Sequence, residues 1–162
     1  MVTHLVSKVR HLTFVRTRKN ILHNQFDLFS FDGCGNTISG IVIEDNSSAV
    51  GLFGSVASNA IIRNLGLTNS YIKASKDYVG SVVGYSYAAK IENVYSDAVI
   101  YSTFSSDAWK GKSLGGIVGH MDTPAAGNTH TVSGCWFDGR IYYAGANQET
   151  GGVVGRIYDT NG

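Results

Sequence analysis

The feature that most constrains the fold of this chain is a glycine-flanked apolar segment that occurs four times. The copies read VGLFG at 50–54, GSVVG at 80–84, GGIVG at 115–119 and GGVVG at 151–155. Their spacing of about 30 to 36 residues is typical of repeat architectures, in which each unit buries its apolar face only by stacking on the next. The sequence therefore predicts a stack of four similar units.

A second family of segments alternates with the first and predicts a bend inside each unit. Its copies read ISGIVI at 38–43, IRNLGL at 62–67, IENVYS at 91–96 and VSGCWF at 132–137. The first and fourth positions are apolar but three residues apart, so alternation along a strand cannot bury both. One residue with left-handed backbone between them restores the phase, and glycine and asparagine adopt that conformation most readily. The third position predicts four structural corners, at Gly40, Asn64, Asn93 and Gly134.

Together the two families predict an all-β fold, a parallel β-solenoid of about four coils. Each coil would contain a short strand, a bend, a second short strand and the glycine-flanked strand. The glycines are small enough to let the backbones of neighbouring coils approach closely. An antiparallel sandwich fits less well, because the dipeptides of tight hairpin turns are scarce in this sequence.

The run FDGCGNTISG at 31–40 and the glycine-flanked segments resemble the GLUG-motif repeats of bacterial surface and secreted proteins. The segment IENVYS at 91–96 is similar to the stretch that follows each motif in those repeats. The resemblance extends over about residues 31–158. It implies a right-handed parallel β-helix and an extracellular or cell-surface location, and it implies neither a catalytic mechanism nor shared active-site residues.

Residues 1–30 do not match the repeats and predict a separate N-terminal cap on a solenoid of residues 31–162. They hold five basic residues and one acidic residue, which predicts either a solvated basic cap or an arm that binds an anionic partner. No comparable cap follows the last coil, so the sequence leaves open that the chain is part of a longer repeat array and predicts end-to-end self-association. Apolar residues at helical spacing predict a short amphipathic helix over the first coil: Val2, Leu5, Val6, Val9 and Leu12.

Charge and apolar runs argue against several kinds of partner. A net charge of +1, with no cluster of Lys and Arg in the repeats, argues against nucleic acid. No run approaches the roughly 18 apolar residues that cross a bilayer, so no membrane span is predicted, and no secretory signal opens the chain. Cys34 and Cys135 are expected to lie several coils apart and to remain free thiols.

Outward aromatic residues give the first candidate site. Tyr95 and Trp136 hold equivalent outward positions in neighbouring coils, and Tyr142 and Tyr143 follow Trp136 in the same coil. Two rings one coil apart predict a flat platform whose faces suit the C–H faces of sugars. The alternative is an aromatic stack that stiffens the sheet.

Acidic and histidine residues give the other candidates. Asp97 and Asp138 take matching positions in adjacent coils, where they predict either a calcium site or side chains that bond the backbone of a turn. His120 and Asp122 are a candidate general base and its orienting partner in an enzyme. Weaker candidates are nucleophiles at Ser113 or Ser133, a second base at His130, and a metal site formed by His120, Asp122 and Glu149.

Two functional hypotheses follow from these residues. The first is a non-catalytic surface module that binds a glycan or a protein in the manner of an adhesin, or that serves as a spacer. The second is a small hydrolase on the same scaffold, which acts on a glycan, an ester or a lactone with calcium as a helper. The fold does not separate them, because solenoids carry both kinds of function.

Overall fold

The computed structural model of the chain describes residues 11–13, 30–104, 112–123, 129–144 and 149–159. In these residues the protein is an all-β, parallel β-solenoid of four coils, as the repeats predict. Every strand pair in the coils is parallel, because each strand meets its counterpart only after the chain has completed one coil.

Short strands form every coil. Strand β1 (His11–Thr13) comes first, and the first coil contains β2 (Ser30–Ser39), β3 (Val42–Asp45), β4 (Ala49–Val50) and β5 (Phe53–Val56). The second coil contains β6 (Ile61–Thr68), β7 (Tyr71–Ala74), β8 (Tyr78–Gly80) and β9 (Val83–Tyr87). The third contains β10 (Lys90–Ser96), β11 (Val99–Ser102), β12 (Ser113–Gly115) and β13 (Val118–Thr123). The fourth contains β14 (Thr131–Ser133), β15 (Trp136–Phe137), β16 (Arg140–Tyr143), β17 (Glu149–Gly151) and β18 (Val154–Asp159).

Equivalent strands of successive coils form four sheets. The first sheet has the order β1-β2-β6-β10-β14, with β15 also paired to β10, and the second has the order β3-β7-β11-β16. The third is β4-β8-β12-β17 and the fourth is β5-β9-β13-β18. Phe53, Val83, Val118 and Val154 pair in one column, and each precedes the closing glycine of its segment. The glycine alignment made from the sequence is therefore confirmed.

The core lies inside the coils and consists of columns of aliphatic side chains. Ile43, Ile72 and Ile100 pair in register through the second sheet, and all three are fully buried. Burying a side chain of this size contributes about 1.5 to 3 kcal/mol, so these columns are the main source of stability. The third sheet contributes a similar column of Val50, Val79 and Leu114.

Three of the four predicted corners form one column with left-handed backbone. Asn64, Asn93 and Gly134 have φ angles of 54°, 53° and 61°, and they follow residues that pair in register across the first sheet. Ile62 and Leu65, on either side of the corner, are both buried in the core. The prediction that glycine or asparagine restores the inward phase is confirmed for these coils.

The fourth predicted corner, Gly40, belongs to a different column. Its φ angle of 77° is positive as expected, but Ser39 pairs with Thr68, so Gly40 lies beside Asn69, whose φ angle is 50°. Gly40 therefore marks the bend between the first and second sheets. The alignment that placed it beside Asn64 is wrong.

Strand β2 also contains an insertion relative to the next coil. Asp32 pairs with Arg63 and Asn36 pairs with Leu65, so residues 33–35 face a single residue of the next coil. Cys34 and Gly35 have positive φ angles of 52° and 72°, as a tight local turn requires. Such an insertion shifts the register of everything that follows it in the strand.

The described residues 11–13 of the N-terminal segment form a strand. Strand β1 pairs in parallel with the end of β2, and Leu12 belongs to β1. The predicted helix is therefore wrong at Leu12, and its other positions lie outside the described residues. Of the 1–30 cap, the structure describes residues 11–13 and Ser30 alone. The right-handed sense of the solenoid remains the prediction made from the resemblance.

Candidate functional site

One outward column of the first sheet combines an exposed aromatic ring with a depression. We call it the aromatic column, and it consists of Thr37, Gly66, Tyr95 and Trp136, which pair in register across the four coils. These positions alternate with buried residues of the same strands, so their side chains point outward. Trp136 exposes 66% of its surface, the largest value among the large apolar side chains that the structure describes.

Gly66 creates a depression in the aromatic column. The cavity has a volume of about 460 Å³, and its walls include Thr37, Asn64, Asn93 and Tyr95. A Cβ atom at position 66 would lie 2.7 Å from the hydroxyl oxygen of Thr37, so a side chain there would fill the depression or displace Thr37. All the residues that line the depression are of uncharged types.

Two asparagine amides form the polar part of the depression. Asn93 Nδ2 donates a hydrogen bond to Asn64 Oδ1 (3.2 Å), and Asn64 Nδ2 donates to Asp32 Oδ1 (3.0 Å). Asp32 also accepts hydrogen bonds from the Cys34 backbone N–H and the Arg63 guanidinium, both at 2.8 Å. These hydrogen bonds, first among them the one from Asn64, lower the pKa of Asp32. The network fixes the orientation of both amides.

Tyr95 and Trp136 are paired as the sequence predicts, but their rings are not coplanar. The ring centroids are 6.3 Å apart and the ring planes meet at 89°, an edge-to-face arrangement. A ligand can therefore stack on one ring face at a time and not on a flat platform. Burial, and then the charges of Asp97 and Asp138, raise the pKa of Tyr95, so its hydroxyl stays protonated at neutral pH and can donate a hydrogen bond.

Tyr142 and Tyr143 lie on the second sheet and do not extend this pair. Tyr142 pairs with Tyr101, with ring centroids 6.5 Å apart and planes at 44°. Tyr143 pairs with Ser102, which is buried, so it belongs to an inward column of the last coil. The four aromatic residues therefore occupy two sheets, and only those of the aromatic column remain candidates for one ligand surface.

Asp97 and Asp138 take matching positions, since the residues directly before them pair in register. The Asp97 carboxylate accepts a hydrogen bond of 2.6 Å from the backbone N–H of Asn69. This is the turn-bonding role that the sequence offers as the alternative to calcium binding. In the described parts of the chain, no three His, Cys, Asp or Glu side chains converge to hold a metal ion. A calcium site at this pair stays a prediction.

A second surface lies where the third and fourth sheets meet. We call it the corner cluster, and it consists of Tyr78, Tyr85, Ser113, His120 and Asp122. The ring centroids of Tyr78 and Tyr85 are 5.2 Å apart, and the His120 ring lies 4.5 Å from the first and 5.5 Å from the second. Where two sheets form a convex corner, their outward side chains diverge. The outward side chains of the third and fourth sheets contact each other here, so the outer surface is concave.

His120 is the most buried titratable side chain of the corner cluster. It is only 5% exposed, and its Nδ1 atom lies 3.3 Å from the hydroxyl oxygen of Ser113. Burial, and then the positive charge of Arg156, lower the pKa of His120 to about 4, so the ring is neutral at neutral pH. Neutral imidazole is the form that accepts a proton. Ser113 and His120 are therefore in contact as a nucleophile and base would be, although Ser113 is fully buried.

Asp122 is directed at Tyr85 instead of His120. Its carboxylate accepts a hydrogen bond of 2.8 Å from the Tyr85 hydroxyl. Burial, and then this hydrogen bond, raise the pKa of Tyr85, so the phenol remains protonated and the bond persists at neutral pH. The prediction that Asp122 orients His120 is corrected accordingly.

Glu149 lies in the same corner of the solenoid but is engaged elsewhere. It pairs in register with Ser113, and its carboxylate forms an ion pair of 3.3 Å with Arg156. His120, Asp122 and Glu149 do not form a metal-binding group in the described chain.

The two remaining catalytic candidates differ in position. Ser133 lies in strand β14 of the first sheet, and His120 lies in strand β13 of the fourth sheet. His130 is near enough to His120 for its charge to contribute to the lowered pKa of that ring. Ser113 is the predicted nucleophile that the structure places in contact with His120.

The cysteines are both free, which confirms the prediction of two unpaired thiols. Cys34 is exposed in the first coil, and Cys135 lies in the fourth. Burial raises the pKa of the Cys135 thiol. In the residues that the structure covers, no helix has the length and apolar character needed to cross a membrane.

No protein-family model, no curated protein and no solved structure matches the chain. The fold and the side chains define the class of protein by themselves, a parallel β-solenoid with two outward surfaces of aromatic and polar residues. The aromatic column is open and its depression is lined by uncharged residues, whereas Ser113 and His120 of the corner cluster are buried.

Sequence reasoning missed residues of both surfaces. Tyr85 follows a closing glycine just as His120 does, so the glycine alignment already contained the signal for it. Gly66 pairs with Tyr95, and the alignment of IRNLGL with IENVYS already placed these two residues at the same position. The alignment of the second family concealed Thr37, because it placed Ile38 beside Ile62, whereas Ile38 pairs with Leu67.

Proposed function

We propose that this protein is a non-catalytic solenoid module of the bacterial cell surface or exterior that binds a neutral glycan along the aromatic column. The observation that carries the proposal is the exposed ring of Trp136, in register with an uncharged depression lined by Asn64 and Asn93. The bacterial origin and the location rest on the resemblance to GLUG-motif repeats.

The chemistry of the aromatic column suits a sugar chain. An aromatic face packs against the C–H face of a sugar ring, while amides and hydroxyls bond its hydroxyl groups. Ligand sites in general combine apolar and aromatic walls with a few placed polar groups. The column and its depression together offer both. Trp136 supplies the ring, and Thr37, Asn64 and Asn93 in the depression supply the polar atoms.

The charges near the column favour a neutral ligand. Asp32 is paired with Arg63, and the Asp97 carboxylate bonds the backbone of Asn69. No charged residue lines the depression in the described chain. An acidic polysaccharide would therefore gain no ion pair inside the depression.

The scaffold keeps these groups in place before a ligand arrives. Trp136 and Tyr95 belong to paired strands, and the amides of Asn64 and Asn93 are fixed by their mutual hydrogen bond. Groups that are already ordered lose less conformational entropy on binding. A shallow, rigid surface of this kind can bind a long polymer without enclosing it.

Trp136→Ala is expected to weaken glycan binding at least about tenfold, because it removes the one exposed ring face of the column. The measurement is affinity electrophoresis in native gels that contain β-glucan, xyloglucan or galactomannan, with polygalacturonate as the charged comparison. Retardation of the unaltered protein by a neutral polysaccharide, and its loss in the variant, is the expected result.

Tyr142→Ala is the matched control, since Tyr142 is an exposed aromatic residue of the same coil on the second sheet. It should leave retardation unchanged. If none of the neutral polysaccharides retards the unaltered protein, or if the two variants lose retardation equally, the proposal fails. The module would then be a spacer or a protein-binding segment.

A hydrolase is the second candidate function, favoured by the 3.3 Å contact between Ser113 and His120. It ranks second because both side chains are buried and Asp122 bonds Tyr85. The test is turnover of p-nitrophenyl acetate, simple lactones and aryl glycosides, with and without a calcium chelator. Turnover that is lost in Ser113→Ala would establish this function, whereas no turnover, or turnover that survives the substitution, rejects it.

A further inference from the structure

A line of hydrogen-bonded side chains runs beside the aromatic column and has a fixed direction. We call it the asparagine ladder, and it consists of Asp32, Asn64 and Asn93, one residue from each of the first three coils. Asn93 donates to Asn64, and Asn64 donates to Asp32, so both amides direct a nitrogen atom towards the first coil. Their oxygen atoms are therefore directed towards the fourth coil.

Asp32 sets the direction of the asparagine ladder. An ionised carboxylate only accepts hydrogen bonds, so the Asn64 amide has to turn its nitrogen towards Asp32. Hydrogen bonds from Asn64 and from the Cys34 backbone N–H lower the pKa of Asp32, so it stays ionised at neutral pH. The oxygen of Asn64 is then left to accept from Asn93, and the oxygen of Asn93 becomes the end of the ladder.

The asparagine ladder stops at the fourth coil, where the residue that matches Asn93 is Gly134. A Cβ atom at Gly134 would overlap Asn93 Oδ1, so the missing side chain leaves room for this oxygen. Asn93 is an exposed residue, and glycine has no side-chain N–H that could donate to it. Asn93 and Tyr95 line the same depression, and Tyr95 pairs with Trp136. The ladder therefore ends in an acceptor oxygen on the aromatic side of the sheet.

We propose that Asp32 is a positioning residue of the glycan site, through which the asparagine ladder offers the oxygen of Asn93 to a hydroxyl group of the sugar that stacks on Trp136. The inference rests on the proposed function and narrows its ligand. A sugar hydroxyl donates to this oxygen, whereas an O-methyl ether has no proton to donate. A ladder of the opposite direction would present an N–H group, which hydroxyls and ethers both accept. The direction of the ladder therefore makes the site select glycans with free hydroxyl groups.

The direction is tested first without a ligand, by nuclear magnetic resonance of the side-chain amides in ¹⁵N-labelled protein. In the unaltered protein the two amide protons of Asn93 should differ widely in chemical shift, because one of them is bonded to Asn64. Asp32→Ala should shrink this difference at a distance, because the ladder can then run in either direction. Asp32→Asn should restore it, since it keeps an oxygen where Asn64 and the Cys34 backbone donate. Two nearly equal shifts in the unaltered protein would contradict the inference.

The selection is tested by affinity electrophoresis in β-glucan, xyloglucan or galactomannan and in the same polymers after O-methylation. The unaltered protein should bind the free polymer about fivefold more tightly than the methylated one, the effect of one hydrogen bond. Asn93→Gly and Gly134→Asn should each remove this preference. The first deletes the oxygen, and the second adds an amide that donates to it, as Asn93 does to Asn64. Both substitutions keep the left-handed backbone, which asparagine and glycine adopt at these positions.

Asn69→Gly is the matched control, because Asn69 also has a positive φ angle but lies beside Gly40, at the bend between the first and second sheets. It should keep the preference for the free polymer.

Three results would overturn the inference while glycan binding stands. They are equal affinity of the unaltered protein for free and methylated polymers, a preference that survives in both Asn93→Gly and Gly134→Asn, and an Asn93 amide signal that does not respond to Asp32→Ala. If no polymer retards the unaltered protein, the inference fails together with the proposed function.

Discussion

Replacing Gly116 with alanine is expected to lower the free energy of unfolding by about 3 kcal/mol, whereas the same replacement at Gly152 changes it by less than about 0.5 kcal/mol. The two glycines occupy equivalent positions in consecutive coils. A Cβ atom at Gly116 would overlap the carbonyl oxygen of Gly152 and the ring of Phe137, and both belong to the coil stacked on it. At Gly152 no described atom lies within 4 Å.

Urea unfolding followed by circular dichroism measures both variants, at a protein concentration low enough to keep the chain monomeric. The melting temperature of Gly116→Ala should fall by about 10 °C for a domain of this size. Equal losses in the two variants would show that the glycines serve the local turn and not the close approach of stacked coils.

Acidification is expected to destabilise the protein between pH 6.5 and pH 4 through His120. Its pKa is lowered to about 4 in the folded chain from an ordinary value of 6.5, because burial among Tyr78, Tyr85 and Ser113 disfavours the imidazolium form. The unfolded chain therefore binds a proton in this interval before the folded chain does, so the stability is complete above pH 6.5 and falls towards pH 4. The full shift corresponds to about 3 kcal/mol, which is the largest loss expected across this interval.

The measurement is the free energy of unfolding of the unaltered protein minus that of His120→Gln, from pH 4 to pH 8. The subtraction removes the titration of the carboxylates that both proteins share. The difference should decrease as the pH falls through the interval and level off at either side of it. A difference that does not change with pH, or one that grows on acidification, would contradict the burial of a neutral His120.

Much of the fold was readable from the sequence because stacking demands the same residue type in the same place of every coil. The corner residues Asn64, Asn93 and Gly134 are needed for local backbone geometry, and the closing glycines are needed because the backbone of the neighbouring coil approaches closely there. The first coil was misaligned because the bend between the first and second sheets also takes glycine or asparagine with positive φ, so Gly40, which lies beside Asn69, resembles the residues of the corner column. Periodicity alone did not reveal that Leu12 pairs with β2.

The candidate sites were harder to predict because they depend on side-chain orientation and on contacts between sheets. Repeat columns correctly paired Tyr95 with Trp136, yet they did not give the angle between the rings. The proximity of Ser113 to His120 arises from the concave angle between the third and fourth sheets, which no column of the alignment encodes. For the same reason the bond between Asp122 and Tyr85 was not foreseen.

Binding of a neutral glycan along the aromatic column can be followed residue by residue with nuclear magnetic resonance of ¹⁵N-labelled protein titrated with cellohexaose, xylohexaose and mannohexaose. At least one of them should shift the Trp136 indole N–H, the side-chain amides of Asn64 and Asn93, and the backbone N–H of Gly66. Shifts centred instead on the corner cluster around His120, or no shift with any of the three, would show that no glycan binds at the aromatic column.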